Sequence, residues 1–346
     1  MHFQLFCFTS SVQVPDAFGE LSLKLALGIK LTQAIRTISP ASAYLGPRFS
    51  AQVVPRLKLD PNVVTVAKEL ASVVHAHPDP NVAKHCSAII REAHENNSEE
   101  RGERLIVCSA LVESGHTGEG GHLPAVVRIF QLDTEEKRRN WLDRSSVFIF
   151  YCVAQSSNWI YHRFVRLFFH AFLPSIIYNG VGFECHGQNC LARFDLKTKE
   201  LLGFVIRDFG GIRVHPETLY ASTGVELDCL PKHSISVPNL DDVHTQTYHS
   251  AIHNHLQRLI RVLDLHYNGQ GWVIVRKHLM QAIPKDHTLY DAWLSPDRNM
   301  LPSKSFLRMR IARSDRFVSE LFRVLDLIAH VWLASSLFCS QSYRPS

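Results

Sequence analysis

Between Phe183 and Asn189 the chain places a carboxylate (Glu184), an imidazole (His186) and two side-chain amides (Gln188, Asn189), and Arg207 and Asp208 follow after two short apolar runs. Oxygen ligands of this kind suit magnesium, which takes one or two carboxylates and completes its shell with water and phosphate oxygens. Nucleotide binding is the chemistry such a set would serve. A plain hydrogen-bonded network between two loops is the competing reading of Glu184, His186 and Asp208. Gly210 and Gly211 beside the acid favour function, because a glycine pair there lets a ligand approach the backbone closely.

The order HGQN, strand turn, DFG is also that of the catalytic and metal loops of a kinase-like phosphotransferase. Such an enzyme needs an aspartate to accept the proton of its acceptor hydroxyl, and this chain has Gln188 there. A carboxylate nucleophile is already ionised at pH 7 and needs no base. The residues therefore suit carboxylate adenylation better than hydroxyl phosphorylation.

The elements that must position these groups follow from the apolar patterning. Leu191 to Leu196 and Leu201 to Ile206 are two apolar runs joined by Lys197-Thr198-Lys199-Glu200, which predicts a hairpin with a four-residue loop. With the turn centred between Thr198 and Lys199, Asn189 faces Asp208, and a slip of a residue or two still leaves the HGQN and RDFGG loops side by side. Upstream, Leu23 to Leu31 reads as a strand running into Thr32 and a short helix before Pro40, and Asp79-Pro80 as the start of a helix through His94. Leu105 to Val112 and Val126 to Phe130 read as strands around the glycine-rich loop Ser114 to Gly121. Thr245 to Tyr267 carries Ile252, Leu256, Leu259, Ile260 and Leu263 at helical spacing and stops at Asn268-Gly269. The fold class is α+β: strands and helices mix through residues 1–133, helices dominate residues 134–311 apart from the β-hairpin, and residues 312–346 read as an apolar helical tail.

At 346 residues the chain can bury a full core, and its net charge of +5 is spread along the sequence, which argues against nucleic acid and accommodates small anionic substrates. Eight cysteines without regular pairing indicate neither a zinc ribbon nor a disulfide framework, and imply a reducing compartment. The start MHFQLFCFTSS lacks a positive n-region, and the apolar stretches Val147 to Phe172 and Leu321 to Cys339 are interrupted by polar residues, so a cytosolic protein without membrane spans is expected. SGHTGEGGH lacks the GK[ST] ending of a P-loop, and His249 with His253 lacks the acid of an HExxH pattern. The stripe Phe164, Leu167, Phe168, Phe172 is core packing.

Phe183-Glu-Cys-His-Gly-Gln-Asn-Cys-Leu followed by Gly203-Phe-Val-Ile-Arg-Asp-Phe-Gly-Gly-Ile-Arg resembles the palm signature of the siderophore synthetases independent of nonribosomal peptide synthetases, of the aerobactin-synthetase (IucA/IucC) type. Lys24-Leu-Ala-Leu-Gly-Ile-Lys-Leu-Thr-Gln-Ala-Ile-Arg36 resembles that family's fingers motif, and Lys304-Ser-Phe-Leu-Arg-Met-Arg310 its C-terminal basic motif. The resemblance implies siderophore biosynthesis by an AMP-forming acid-amine ligase, with residues 1–133 as a partial fingers subdomain (antiparallel sheet with helices), residues 134–311 as a mainly helical palm subdomain and residues 312–346 as a divergent tail. ATP and Mg2+ are its cofactors, a polycarboxylate such as citrate and an amine or hydroxyl its substrates, and a homodimer its assembly. It also implies that Lys24, Thr32 and Arg36 bind phosphate or carboxylate, that His186 and Gln188 act near the α-phosphate and acyl carbon with Arg36, and that Arg207 joins the phosphate site. Glu184, Asn189 and Asp208 would hold magnesium, and Lys304, Arg308 and Arg310 would bind substrate.

Complete members are nearly twice this length and carry an N-terminal ATP-binding lobe that the resemblance does not reach. The chain is thus expected to be either such a ligase or a non-catalytic remnant of one. Trp141-Leu-Asp-Arg144 and Phe164-Val-Arg-Leu167 would make one continuous amphipathic helix if residues 145–163 were deleted, with Leu142, Val165, Phe168 and Phe172 at steps of four, three and four. Residues 145–163 are accordingly expected to be an insertion.

Overall fold

The computed structural model describes residues 11–13, 20–26, 30–31, 34–35, 37–95, 98–116, 122–143, 164–231, 233–295, 301–304 and 319–322. Its strands are β1 Ser11–Gln13, β2 Leu21–Leu25, β3 Lys30–Leu31, β4 Ala34–Ile35, β5 Val64–Val66, β6 Glu69–Val74, β7 Ser87–Glu92, β8 Glu103–Val107, β9 Ser114–His116, β10 His122–Pro124, β11 Val181–Gly182, β12 Cys190–Asp195, β13 Leu201–Ile206, β14 Arg213–Val214, β15 Leu301–Lys304 and β16 Ser319–Phe322. Its helices are α1 Pro40–Arg48, α2 Pro80–Ala83, α3 Cys108–Leu111, α4 Ala125–Ile129, α5 Glu135–Asp143, α6 Phe164–Asn179, α7 Pro216–Thr223, α8 Leu240–Thr247, α9 Gln257–Val262, α10 Gln270–Ala282 and α11 Thr288–Leu294.

Two four-stranded sheets position the site. The first runs β1-β2-β7-β6, antiparallel throughout. Its alternation turns Ser22, Lys24, Ile89 and Arg91 to the inside. Helix α1 covers that face, starting on Ser39, whose Oγ accepts the Ser42 N–H, with Pro40 in the first turn. The second sheet runs β5-β13-β12-β8. The hairpin β12–β13 forms its centre, β8 pairs antiparallel with β12, and β5 pairs parallel with β13. This sheet takes strands from both sides of residue 133, the expected boundary between two subdomains.

Helix α6 supplies Phe164, Phe168 and Phe172, whose rings lie 5.3–5.8 Å from Phe204 on β13. Each such fully buried side chain contributes on the order of 2 kcal/mol. These belong to one large apolar core running from Leu45 on α1 to Leu294 on α11. Asp143 at the end of α5 accepts from His278 Nε2 at 2.7 Å and from Lys277 Nζ at 3.1 Å on α10, all but Lys277 being buried. The Trp141 ring stacks on Phe164 at 5.4 Å. The two residues flank the expected insertion, residues 145–163. The segment itself lies outside the described residues. No helix among the described residues is long and apolar enough to cross a membrane.

Several elements differ from the expectation. Asp79 does cap a helix, its side chain accepting from the Asn81 N–H, but α2 lasts one turn and residues 87–92 are a central strand. Pairing of β7 on both edges, with Ser87, Ile89 and Arg91 buried alternately, outweighs local helix propensity. The expected strand Val126 to Phe130 is helix α4, whose adjacent Val126 and Val127 are both buried, as on a helix face rather than an alternating strand. The apolar run after Lys24 breaks into β2 and the two-residue pairing β3–β4, and the helix lies after Pro40 instead of before it, where the Ser39-Pro40 cap starts it. The run Leu105 to Val112 is strand only to Val107 and then turns into α3. The late helix begins earlier, at Leu240 on its Asn239 cap, and passes through a π-helical stretch, Tyr248–Leu256, to Val262. Gly269, with φ 75°, starts α10 rather than ending that helix. In the tail, Ser319–Phe322 is a strand paired with β15, not helix.

Candidate functional site

The hairpin end gathers its residues from three directions. Pairing of Cys190 with Ile206 and Leu191 with Val205 sets a register one residue away from the expected one, and past a bulge between Arg193 and Phe194, where Phe194 pairs with Leu201, it lies two residues away. Asn189 therefore faces Arg207, whose N–H donates to the Asn189 carbonyl at 3.0 Å, and Asp208 lies one step beyond. The two loops still lie side by side.

Within the HGQN loop the His186 carbonyl accepts from the N–H groups of Asn189 and Cys190, closing a tight turn. The Gln188 N–H donates to His186 Nδ1 at 3.3 Å, so the neutral ring carries its proton on Nε2, which stands 3.8 Å from Glu184 Oε2. Asn189 Nδ2 donates to the Glu184 carbonyl at 3.2 Å, leaving Oδ1 as the oxygen it can offer. Gly187 abuts the start of α3, where the Ser109 N–H donates to its carbonyl.

Asp208 adopts a left-handed backbone, φ 74°, a conformation that aspartate tolerates better than most residues. Its Oδ1 accepts from the Gly210 N–H at 2.9 Å and from Lys24 Nζ at 2.6 Å. Burial works against the charge of Asp208, but the Lys24 ammonium and the Gly210 N–H outweigh it and hold the carboxyl well below the usual carboxylate range. Burial likewise opposes the charge of Lys24, and Asp208 with Glu69 more than restores it, so its pKa is raised. Glu69, absent from the sequence reading, is 2 % exposed and sits 3.9 Å from Lys24 Nζ through Oε1. Burial raises the Glu69 carboxyl despite Lys24.

The glycine pair has a sharper role than close approach to a ligand. A Cβ on Gly211 would stand 2.0 Å from Glu184 Oε2, and one on Gly210 would stand 3.2 Å from Asp208 Oδ1. The two carboxylates thus rest against neighbouring glycines, in the space side chains would fill. Glu184, Asp208 and the Asn189 amide oxygen are a hard oxygen set that fits magnesium, with water and phosphate to complete the shell. Among the described residues no three or more His, Cys, Asp or Glu side chains form a group that could hold a metal ion.

Arg207, expected at the phosphate site, is held by protein groups. It is 6 % exposed, bonds Glu95 Oε1 at 2.9 Å through Nη1, and donates from Nε and Nη2 to the Gln188 carbonyl. Burial depresses its pKa to about 10 even so. Its fork ties the HGQN loop to Glu95. His255, from the late helix, is a further residue the sequence did not single out. Its Nδ1 donates to the Cys185 carbonyl at 2.8 Å from behind the same loop, and burial lowers its pKa to about 4. Lys304 falls on β15, while Thr32, Arg36, Arg308 and Arg310 lie outside the described residues.

A family model described as the IucA / IucC family matches residues 10–113, and one described as a ferric iron reductase FhuF-like transporter matches residues 159–316. An NRPS-independent siderophore synthetase, rfs, of Rhizopus delemar is 45 % identical over 301 residues, which are 87 % of this chain and 44 % of that protein. The chain belongs to the IucA/IucC siderophore synthetase family. It spans less than half the length of this relative. Among solved members of the fold, the petrobactin biosynthesis protein AsbB of Bacillus anthracis superposes with TM-score 0.69 at 16 % identity, covering 96 % of this chain and 54 % of AsbB. ATP-bound aerobactin synthetase IucA of Klebsiella pneumoniae gives 0.64 at 15 % identity, covering 92 % and 54 %. The α+β fold with antiparallel sheets is therefore that of the synthetases.

Proposed function

We propose that this chain carries the palm and part of the fingers of a cytoplasmic siderophore synthetase that adenylates a carboxylate of citrate or a related acid with ATP and condenses it with an amine or hydroxyl. The observation that carries this reading is the convergence of Glu184, Asp208 and Lys24 on the Gly210-Gly211 pair. Lys24 brings a buried positive charge, and His186 Nε2–H a donor, to the place where negative charge develops on phosphate oxygens during adenylation. Magnesium, when bound, supplies further positive charge there; Glu184, Asp208 and Asn189 Oδ1 would hold it. Gln188, standing where a kinase has its aspartate base, accepts no proton, in keeping with a carboxylate that attacks the phosphate already ionised. Thr32 and Arg36 of the fingers motif, and Lys304, Arg308 and Arg310 of the basic motif, are proposed to bind phosphate and substrate on the strength of the family resemblance alone.

Incubating the chain with ATP, magnesium, citrate and hydroxylamine and measuring pyrophosphate tests the proposal. Release that disappears in Asp208→Asn is expected. No release above the blank from the wild-type chain would defeat the ligase reading and leave a non-catalytic remnant, which nucleotide binding without turnover would identify.

A further inference from the structure

Strand β6 does something that hydrophobicity alone forbids. It leaves Leu70 47 % exposed and buries its neighbour Glu69 to 2 %. The cause is a register shift: Ser72 and Ala71 oppose Ile89 and Ile90, yet it is Glu69, not Leu70, that opposes Arg91. Continued alternation from Ser72 would send Leu70 inward and Glu69 to solvent; the extra residue reverses both. Bulges of this kind re-aim a side chain beside a site, and this one re-aims an acid at Lys24.

The surroundings are shaped to receive that acid. Gly46 on α1 leaves space for it, since a Cβ there would stand 1.8 Å from Glu69 Oε2. Ser50 Oγ accepts the Glu69 N–H at 2.8 Å and donates to the Gly46 carbonyl at 2.9 Å, fixing where the strand enters the core. Oε1 is buried with no hydrogen-bond partner, and Lys24 Nζ stands 3.9 Å from it, just beyond bonding distance. The same ammonium is bonded to Asp208 Oδ1 at 2.6 Å. A buried acceptor left unsatisfied is destabilising, so the arrangement is one that a small movement of Lys24 relieves.

We infer that Glu69 is a positioning residue, the second anchor of the Lys24 ammonium, which keeps it at the hairpin end when the Asp208 carboxylate is engaged elsewhere. The purpose of this anchor rests on the adenylation reading: Asp208 is one of the carboxylates proposed for magnesium, and Lys24 must stay beside the phosphates when Asp208 turns to the ion. Glu69 touches neither substrate nor metal and acts through Lys24.

Acylation of the whole chain with acetic anhydride, read by mass spectrometry at each lysine, tests the anchor without any substrate. In wild type and in Asp208→Asn, Lys24 is expected to react at least about tenfold more slowly than exposed Lys199, equivalent to about 1.4 kcal/mol of protection. In Asp208→Asn/Glu69→Gln that protection is expected to be lost. Lys24 reacting like Lys199 in Asp208→Asn, or equally slowly in Asp208→Asn and the double variant, would overturn the inference. A purely structural role for Glu69, through Ser50 and Gly46, would lower the unfolding temperature and leave Lys24 labelling unmoved. Where the double variant does not fold, a thermal-unfolding cycle on Lys24→Met and Glu69→Gln decides: non-additive losses are expected, and additive losses overturn it. Protection of Lys24 in Asp208→Asn that is lost in the double variant, together with absent pyrophosphate release from wild type, would sink the ligase reading and leave the anchor standing.

Discussion

Replacing Gly211 by alanine separates the site from the fold. The new methyl would stand 2.0 Å from Glu184 Oε2 and 2.3 Å from Cδ, so the carboxylate must retreat by about 1.4 Å to reach ordinary contact. The obstructing atoms are the end of a flexible side chain, and Gly211 is not among the glycines with positive φ. The backbone therefore accepts alanine, and the loss of unfolded-state freedom offsets part of the clash, so stability should change by less than about 1 kcal/mol. A metal ligand displaced by more than an ångström is another matter: losses of roughly 100-fold, or about 2.7 kcal/mol, follow misplacement on that scale. Binding of Mn2+ as a magnesium substitute, followed by electron paramagnetic resonance, reads this without turnover, and pyrophosphate release reads it with turnover. Thermal unfolding supplies the control for folding. Shortening the acid in Gly211→Ala/Glu184→Asp should recover part of the loss, because the carboxylate then withdraws from the methyl. Gly211→Ala with Mn2+ affinity and turnover within about threefold of wild type would refute the assignment of Glu184.

Gly203→Ala should show the opposite balance, since its Cβ meets the Val63 carbonyl, a backbone atom, at 2.1 Å; about 1–3 kcal/mol of stability should be lost in denaturant unfolding. Asp143→Ala should cost about 3 kcal/mol by leaving His278 buried without its partner, and a change below about 1 kcal/mol would mean that the α5–α10 pair contributes little. His255 is held neutral, with its folded pKa near 4 against about 6.5 unfolded, so its contribution is present above pH 6.5 and fades as pH falls towards 4. The wild type should lose up to about 3 kcal/mol more than His255→Gln across that window; parallel stability curves would show that the imidazole is not the group responsible.

What the sequence discloses about this molecule is what short-range chemistry dictates. The hairpin, the Asp79 cap and the adjacency of the HGQN and RDFGG loops depend on residues close in the chain. Each of them is present in the fold. The errors arise where distant packing decides. Residues 87–92 read as helix until β2 and β6 pair with them on either side, and the hairpin register depends on a bulge at Arg193/Phe194 that no turn residue announces. Arg207 beside Asp208 carries every sign of a phosphate ligand, and only the approach of Glu95 turns it inward. Glu69 was illegible for a similar reason: in sequence it is one polar residue before an apolar run, and its burial follows from a bulge visible only once β7 lies alongside.

The parallel pairing of β5 with β13 has a consequence for how cheaply the site is closed. Gln188 and Arg207 are 19 residues apart, whereas Lys24 and Asp208 are 184 apart. Closing the longer loop on its own would cost about 2 kcal/mol more in chain entropy than closing the shorter one. With Val64–Val66 already laid against Phe204–Ile206, the free tether to Lys24 shrinks to about 40 residues. Strand β5, which contributes no side chain to the chemistry, thereby raises the effective concentration of Lys24 at Asp208.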